Sequence, residues 1–223
     1  MMLAVADHTS SSSSMSDSPA VVFVVDDDIS VRESLELLIR AAGWQAAVFD
    51  SAQAFLARPR IFAPSCLILD VNLPDLNGLD LQKRIAAERT DMPIIFITGY
   101  GDVPITVQAM KGGAVEFLTK PFDDEALLSA IRHAIDLSRH ALDDELEMRK
   151  LRDRYSCLSR REKEVMALVV AGKLNKQVGF ELGISEITVK AHRGRVMGKM
   201  GANSLAHLVT MAGGLGLGPA TKK

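Results

Sequence analysis

Cys66-Leu67-Ile68-Leu69-Asp70-Val71-Asn72-Leu73-Pro74-Asp75-Leu76-Asn77-Gly78 is the stretch that decides the fold. Four apolar residues run without interruption into a carboxylate, and a turn rich in Asn, Asp and Pro leads to a helical pattern over Leu79–Glu88. An apolar run without alternation is what a strand covered on both faces requires. The same unit recurs on either side. Further β-type runs stand at Val21–Val25, Ala46–Phe49, Ile94–Ile97 and Val115–Leu118. Helical patterns lie between them at Val31–Ala42, Ala52–Ala57 and Val103–Lys111, and another starts after Pro121. Strand and helix alternate throughout, which predicts an α/β fold: a five-stranded parallel sheet with helices on both faces.

In such a sheet ligands gather beyond the carboxyl ends of the strands, near the point where strand order reverses. The residues at those ends are chemically unlike the apolar runs they terminate. Asp26, Asp27 and Asp28 follow the first strand, Asp70 and Asn72 the third, Thr98 and Gly99 the fourth, and Lys120 the fifth. Carboxylates crowded together raise one another's pKa unless a cation sits among them. A few hard oxygen donors suit Mg²⁺, which keeps several waters and bridges to phosphate. Asp70 is then placed as a nucleophile toward phosphorus. A transferred phosphoryl group spreads charge over three oxygens and needs cationic and hydroxyl partners, the chemistry of Lys120 and Thr98. Gly99 leaves room beside the backbone. Each residue also has a plainer role open to it: Asp28 as a helix cap, Asp70 as a turn residue, Thr98 as a β-former, Lys120 as a solvated charge.

Val25-Asp26-Asp27-Asp28, the stretch Leu69 to Gly78, Ile97-Thr98-Gly99 and Thr119-Lys120-Pro121-Phe122 together resemble the receiver domain of two-component response regulators, across residues 20–122. The resemblance implies a flavodoxin-like (βα)5 receiver that takes phosphate from a sensor histidine kinase on Asp70. It also implies Mg²⁺ held by Asp27, Asp70 and the carbonyl of Asn72, with Asp26 acting through water. Lys120 would pair with carboxylate and phosphoryl, Thr98 would move to the phosphoryl, and Phe117 would swing inward behind it. Family members often have Tyr where Phe117 stands, so the hydroxyl contact is lost here.

Charge divides the chain. Residues 1–122 carry 9 Lys and Arg against 15 Asp and Glu, whereas residues 157–223 carry 11 against 4. An acidic front and a basic rear point to different partners, the rear one a polyanion. The rear reads as purely helical. Ser159-x-x-Glu162 is a capping box opening a helix to Ala171. A second helix spans Lys176–Leu182 and stops at Gly183, and a third is capped by Ser185 and runs to Met200. A fourth begins near Ser204 and stops at Gly213-Gly214. Two helices joined by a tight turn make a helix-turn-helix. At 100° per residue Val189, Val196 and Met200 share the inner face of the third helix. Ile187, Ala191, Gly194 and Gly198 lie opposite, between Lys190 and Arg195, a face fit to enter a major groove. Lys173, Lys176, Ser185 and Thr188 stand near helix starts, where backbone phosphates bind.

Leu158-Ser159-x-x-Glu162, Asn175-Lys176-Gln177, Leu182-Gly183-Ile184-Ser185 and Thr188-Val189-Lys190-x-His192 resemble the LuxR-type domain. With Gly101-Asp102-Val103-Pro104 and Ala109-Met110-Lys111, the whole chain is similar to FixJ-type regulators. Gly194 has no side chain to reach a base, so Lys190 and Arg195 are the expected readers, and His192 is expected to pack.

The domains expected are a disordered Ser-rich tail at 1–18, a receiver at 19–137, a helical linker at 138–156 and a LuxR-type helix-turn-helix domain at 157–223. Leu128, Ile131, Ile135, Ser138 and Leu142 step like a short coiled-coil seam. They belong either to a helix packed on its own sheet or to one that pairs with another subunit. Cys66 and Cys157 lack metal-ligand spacing and read as reduced thiols. No apolar run reaches the ~18 residues that cross a bilayer, and residues 1–6 lack the features of a secretory signal, so a cytoplasmic location with no membrane partner is expected. The function implied is a transcriptional regulator rather than an enzyme, with promoter DNA and RNA polymerase as partners. It would form a homodimer when phosphorylated, through Val103–Gly113 and Asp123–Asp136. A phosphotransferase acting on other molecules and a protein-docking module are the rival readings.

Overall fold

The structure, a computed structural model, describes residues 19–99 and 102–217. The tail expected at 1–18 lies outside the described residues. Two compact units divide between Asp143 and Asp144.

The first unit is built on five strands, β1 Val21–Val25, β2 Gln45–Phe49, β3 Ser65–Asp70, β4 Ile94–Thr98 and β5 Glu116–Thr119. All pairings are parallel, in the order β2-β1-β3-β4-β5. The helices are α1 Ile29–Ala41, α2 Ala52–Leu56, α3 Gly78–Glu88, α4 Val103–Lys111 and α5 Asp124–Ser156. β1 shows why the sheet is covered twice. Val21, Phe23 and Val25 pack into one core with Phe55 of α2 and Leu81 and Ile85 of α3. Val22 and Val24 pack into the other with Leu35 and Ile39 of α1 and Ile131 and Ile135 of α5. Alternate side chains of a strand point to opposite faces, so both parities must be apolar. β3 and β4 each extend one residue beyond the apolar run to include Asp70 and Thr98, because the ladder still pairs Asp70 with Ile97 and Thr98 with Thr119.

The five seam residues of α5 fall within the first unit. Ile131 and Ile135 are buried in its core, Leu128 packs against it, and Ser138 and Leu142 are buried. Ser138 is a crosslink: its Oγ accepts from the Ser65 N–H at 2.9 Å and donates to the Asp91 carbonyl at 2.6 Å. Removing it strands two buried backbone groups, each costing about 1–3 kcal/mol. Ser138→Ala should therefore lower stability to urea by about 2–4 kcal/mol, read as a fall in unfolding midpoint at unchanged slope.

The second unit holds α6 Arg160–Val170, α7 Asn175–Leu182, α8 Glu186–Met200 and α9 Leu205–Gly214. Leu151 and Tyr155, on the last turns of α5, pack on its core. The capping box forms, with the Ser159 N–H donating to Glu162 Oε2 at 2.8 Å and Ser159 Oγ accepting from the Glu162 N–H. Lys199 also reaches Glu162, at 2.6 Å. These partners hold the Glu162 carboxyl at about 2, below its ordinary 4.5. A depressed carboxylate adds stability that is complete above its unfolded pKa and drains away as pH falls toward the folded one. The melting temperatures of the chain and of Glu162→Gln should therefore differ at about pH 6 and converge as pH approaches about 2.5.

Candidate functional site

The sheet order reverses between β1 and β3, which pair Val25 with Leu69. The next residues, Asp26 and Asp70, therefore emerge side by side. Thr98 pairs with Thr119, so Lys120 emerges next to Thr98, and the Lys120 N–H donates to the Thr98 carbonyl at 2.7 Å. From there the ammonium crosses to both acids, 2.6 Å from Asp26 Oδ2 and 2.8 Å from Asp70 Oδ2. Asp26 is fully buried and Asp70 nearly so, whereas Asp27 is exposed. One oxygen from each of the three lies within 4.8 Å of the others.

The remaining oxygens are placed by the backbone. Asp26 Oδ1 accepts from the Asp28 N–H at 2.9 Å and Asp70 Oδ1 from the Asn72 N–H at 3.0 Å. Asp28 meanwhile caps α1 through the Ser30 N–H. Burial pushes the Asp26 carboxyl up from its ordinary value, as does the Asp70 charge, and the bonds from Lys120 and Asp28 only partly offset it. Burial pulls the Lys120 ammonium down, but the two carboxylates outweigh it and the net shift is upward. Gly78 is required by close approach: a Cβ there would lie 2.4 Å from the Asp70 carbonyl oxygen. Gly99 faces open space, with nothing within 4 Å of its would-be Cβ. Thr98 is buried, and Phe117 is half-buried with its ring 6.2 Å from that of Phe96.

Three carboxylates of hard oxygen, one open to solvent, fit a divalent cation. Lys120 now neutralises two of them. A group in this pocket would meet a carboxylate, an ammonium and a buried strand end with free space beside Gly99.

In the second unit Gly183, at φ +66°, is the left-handed residue that lets α7 turn into α8. Val189, Val196 and Met200 are buried, as their shared face requires. Ile187, Lys190, Ala191, Gly194, Arg195 and Gly198 are exposed. Lys176 is exposed, whereas Lys173 pairs with Glu181, and Lys190 lies 3.4 Å from Glu186. Ser185 and Thr188 bond to each other at 2.8 Å while Ser185 caps α8. His192 is half-buried. Two contacts left no trace in the sequence pattern. Arg193 donates to Asn175 at 2.6 Å, joining α8 to the start of α7, and Arg161 donates to the Leu182 carbonyl.

An acidic α/β unit with a lysine-bridged carboxylate pair, followed on the same chain by a helix-turn-helix unit, defines a class of two-domain signalling protein. Residues 22–132 match the response regulator receiver domain family, and residues 156–212 match the bacterial regulatory proteins of the luxR family. Nodulation protein W of Bradyrhizobium diazoefficiens is 50% identical over 89% of this chain and 87% of its own. The transcriptional regulatory protein FixJ of Rhizobium meliloti is 42% identical over 89% and 97%. Among solved structures, the response regulator StyR aligns with a TM-score of 0.77 at 44% identity, covering 87% of this chain and 98% of that one. Full-length FixJ from B. japonicum aligns with a TM-score of 0.53 at 42% identity, covering 88% and 97%. The chain belongs to the response regulators of the FixJ type, with a receiver domain and a LuxR-type DNA-binding domain.

Proposed function

We propose that the chain is a transcription factor switched by phosphorylation of Asp70. The observation that carries this reading is the convergence of Asp26, Asp27 and Asp70 on one rim with Lys120 between two of them. A phosphohistidine of a sensor histidine kinase is the donor. With the other ring nitrogen of the phosphohistidine protonated, its P–N bond breaks as a P–O bond forms to a carboxylate oxygen of Asp70, leaving a neutral imidazole and an acyl phosphate. Lys120, already 2.8 Å from that carboxylate, pairs with the incoming charge. Thr98 supplies a hydroxyl from the neighbouring strand end. Its movement opens space for Phe117, which transmits the change by packing alone. Asp26, Asp27, Asp70 and the carbonyl of Asn72 are the residues that would hold Mg²⁺, which would supply charge neutralisation for the phosphoryl group.

The α4 surface supports pairing of phosphorylated receivers through Val103–Gly113 and Asp123–Asp136. Val103, Val107 and Met110 are 74%, 45% and 44% exposed there, an apolar strip that a second copy would cover. Dimerisation sets two α8 helices about one DNA turn apart on a palindromic site. Lys190 and Arg195 read base edges beside Ala191 and Gly194, while Lys173, Lys176, Ser185 and Thr188 hold phosphates. As a promoter-binding protein it works in the cytoplasm with RNA polymerase, and it turns over no external substrate.

The test is labelling with radioactive acetyl phosphate. One acid-stable, base-labile phosphoryl group per chain should form with Mg²⁺ and not with EDTA, and Asp70→Asn should take none. Label retained by Asp70→Asn would overturn the assignment.

A further inference from the structure

The opposite rim of the receiver sheet, where β3 and β4 begin, carries a cluster of arginines that the phosphorylation site does not use. Arg58 and Arg60 come from the segment after α2, Arg84 from α3 and Arg89 from its end, and all four line a cleft of about 200 Å³. Their acids are few. Arg60 pairs with Asp91 at 3.1 Å, and Arg89 Nη2 stands 3.9 Å from the other oxygen of the same buried carboxylate. Glu88 is the remaining acid in the lining. The case for a ligand rests on Arg58 and Arg89, whose donors are left unfilled among the described residues.

Three guanidinium nitrogens are buried without a hydrogen-bond partner among the described residues: Arg58 Nη1, Arg89 Nε and Arg89 Nη2. A buried cation with unfilled donors is expensive unless something accepts from it. Arg58 is not free to swing out to water, since its guanidinium stacks 4.4 Å from the centroid of the buried Phe23 ring. Burial lowers the Arg89 pKa, and the nearby Arg60 and Arg58 charges lower it further against the opposing pull of Asp91.

We propose that this cleft is a binding site for a small phosphate dianion, separate from Asp70. Guanidinium forks match phosphate oxygens two at a time, and a phosphomonoester carries close to two negative charges at neutral pH. A strand of five or six residues rising ~3.3 Å each separates the two rims by about 17–20 Å, so both sites can be filled at once. The Asp91 turn that shares its carboxylate with Arg60 also gives its carbonyl to Ser138. A ligand here braces the turn on which α5 is fastened.

The experiment is calorimetric titration of the full chain in EDTA at constant ionic strength, with inorganic phosphate in one arm and glycerol 3-phosphate in the other. One saturable site per chain is expected, unchanged in Asp70→Asn and in Lys176→Ala, and weakened about tenfold or more by Arg89→Gln and by Arg58→Gln, about 1.4 kcal/mol per tenfold. Binding of the ester alone assigns the site to esterified phosphate, and binding of both assigns it to the free anion as well. Because a buried arginine variant can unfold, Arg84→Gln is included. That side chain is exposed, and its loss should weaken binding several-fold while leaving the phosphate-free melting temperature unaltered. Absence of saturation, or equal binding by every variant, means an adventitious ion only and overturns the proposal.

Discussion

Asp70→Asn is expected to bind DNA equally well with and without beryllofluoride, an acyl-phosphate mimic, whereas the unaltered chain gains about 5- to 150-fold, the usual range of coupling between two sites. The probe is a duplex selected by binding from a random pool, titrated in a gel-shift with Mg²⁺ present. The physical reason lies in the bridge at Lys120. In the structure the ammonium is shared between Asp26 and Asp70. A negative group added to Asp70 draws it away from Asp26, whose carboxyl is already raised by burial. The asparagine amide offers no anionic oxygen to the mimic, so the redistribution never starts. Lys120→Ala should behave likewise, because the added charge then lacks its partner. Chain mass measured by light scattering in the same buffers should double for the unaltered chain and stay fixed for both variants. A full response in Asp70→Asn would defeat the switch.

The second large effect concerns salt. Each cation that neutralises a DNA phosphate releases condensed counterions, with a log–log slope of about −0.9 per contact. Lys173, Lys176, Lys190 and Arg195 on each of two copies would give a slope near −7, and a loss of about 10⁴-fold in affinity between 50 and 200 mM salt. Lys173 and Lys190, however, are paired with Glu181 and Glu186. Breaking those pairs on binding returns part of the gain, and the measured slope should lie between about −3.6 and −7. Lys176→Ala and Arg195→Ala should each reduce it by about 2 in the dimer. Arg195→Ala alone should also relax base preference. A profile that is flat in salt would assign the second unit to a protein partner.

Much of the fold could be read from the chain because buried parallel strands are conspicuous. Each is an apolar run, and the residue that breaks it, such as Asp70 or Thr98, marks the rim where chemistry collects. The helix-turn-helix was legible through its caps: Ser159, Gly183 and Ser185 satisfy backbone groups that a helix end leaves open. What stayed hidden depended on partners distant in sequence. Ser138 reads as a polar gap in an apolar seam, and only its 73-residue reach to Ser65 explains it. Arg193 looks like one more cation of a basic helix until it meets Asn175. The pairing of Lys173 and Lys190 with glutamates turns an expected phosphate contact and an expected base reader into partly spent charges. Arg60 reaches Asp91 across 31 positions, so no local pattern announces the arginine cluster.

Lys120 lies 94 residues from Asp26 and 50 from Asp70. Its ammonium reaches them only after the last strand has docked beside the fourth. A nascent or half-assembled chain thus has its acidic residues but not the charge that completes the acceptor. The lysine-bridged acid pair therefore exists only once the front half is assembled through its final strand, and its presence reports that this strand has docked.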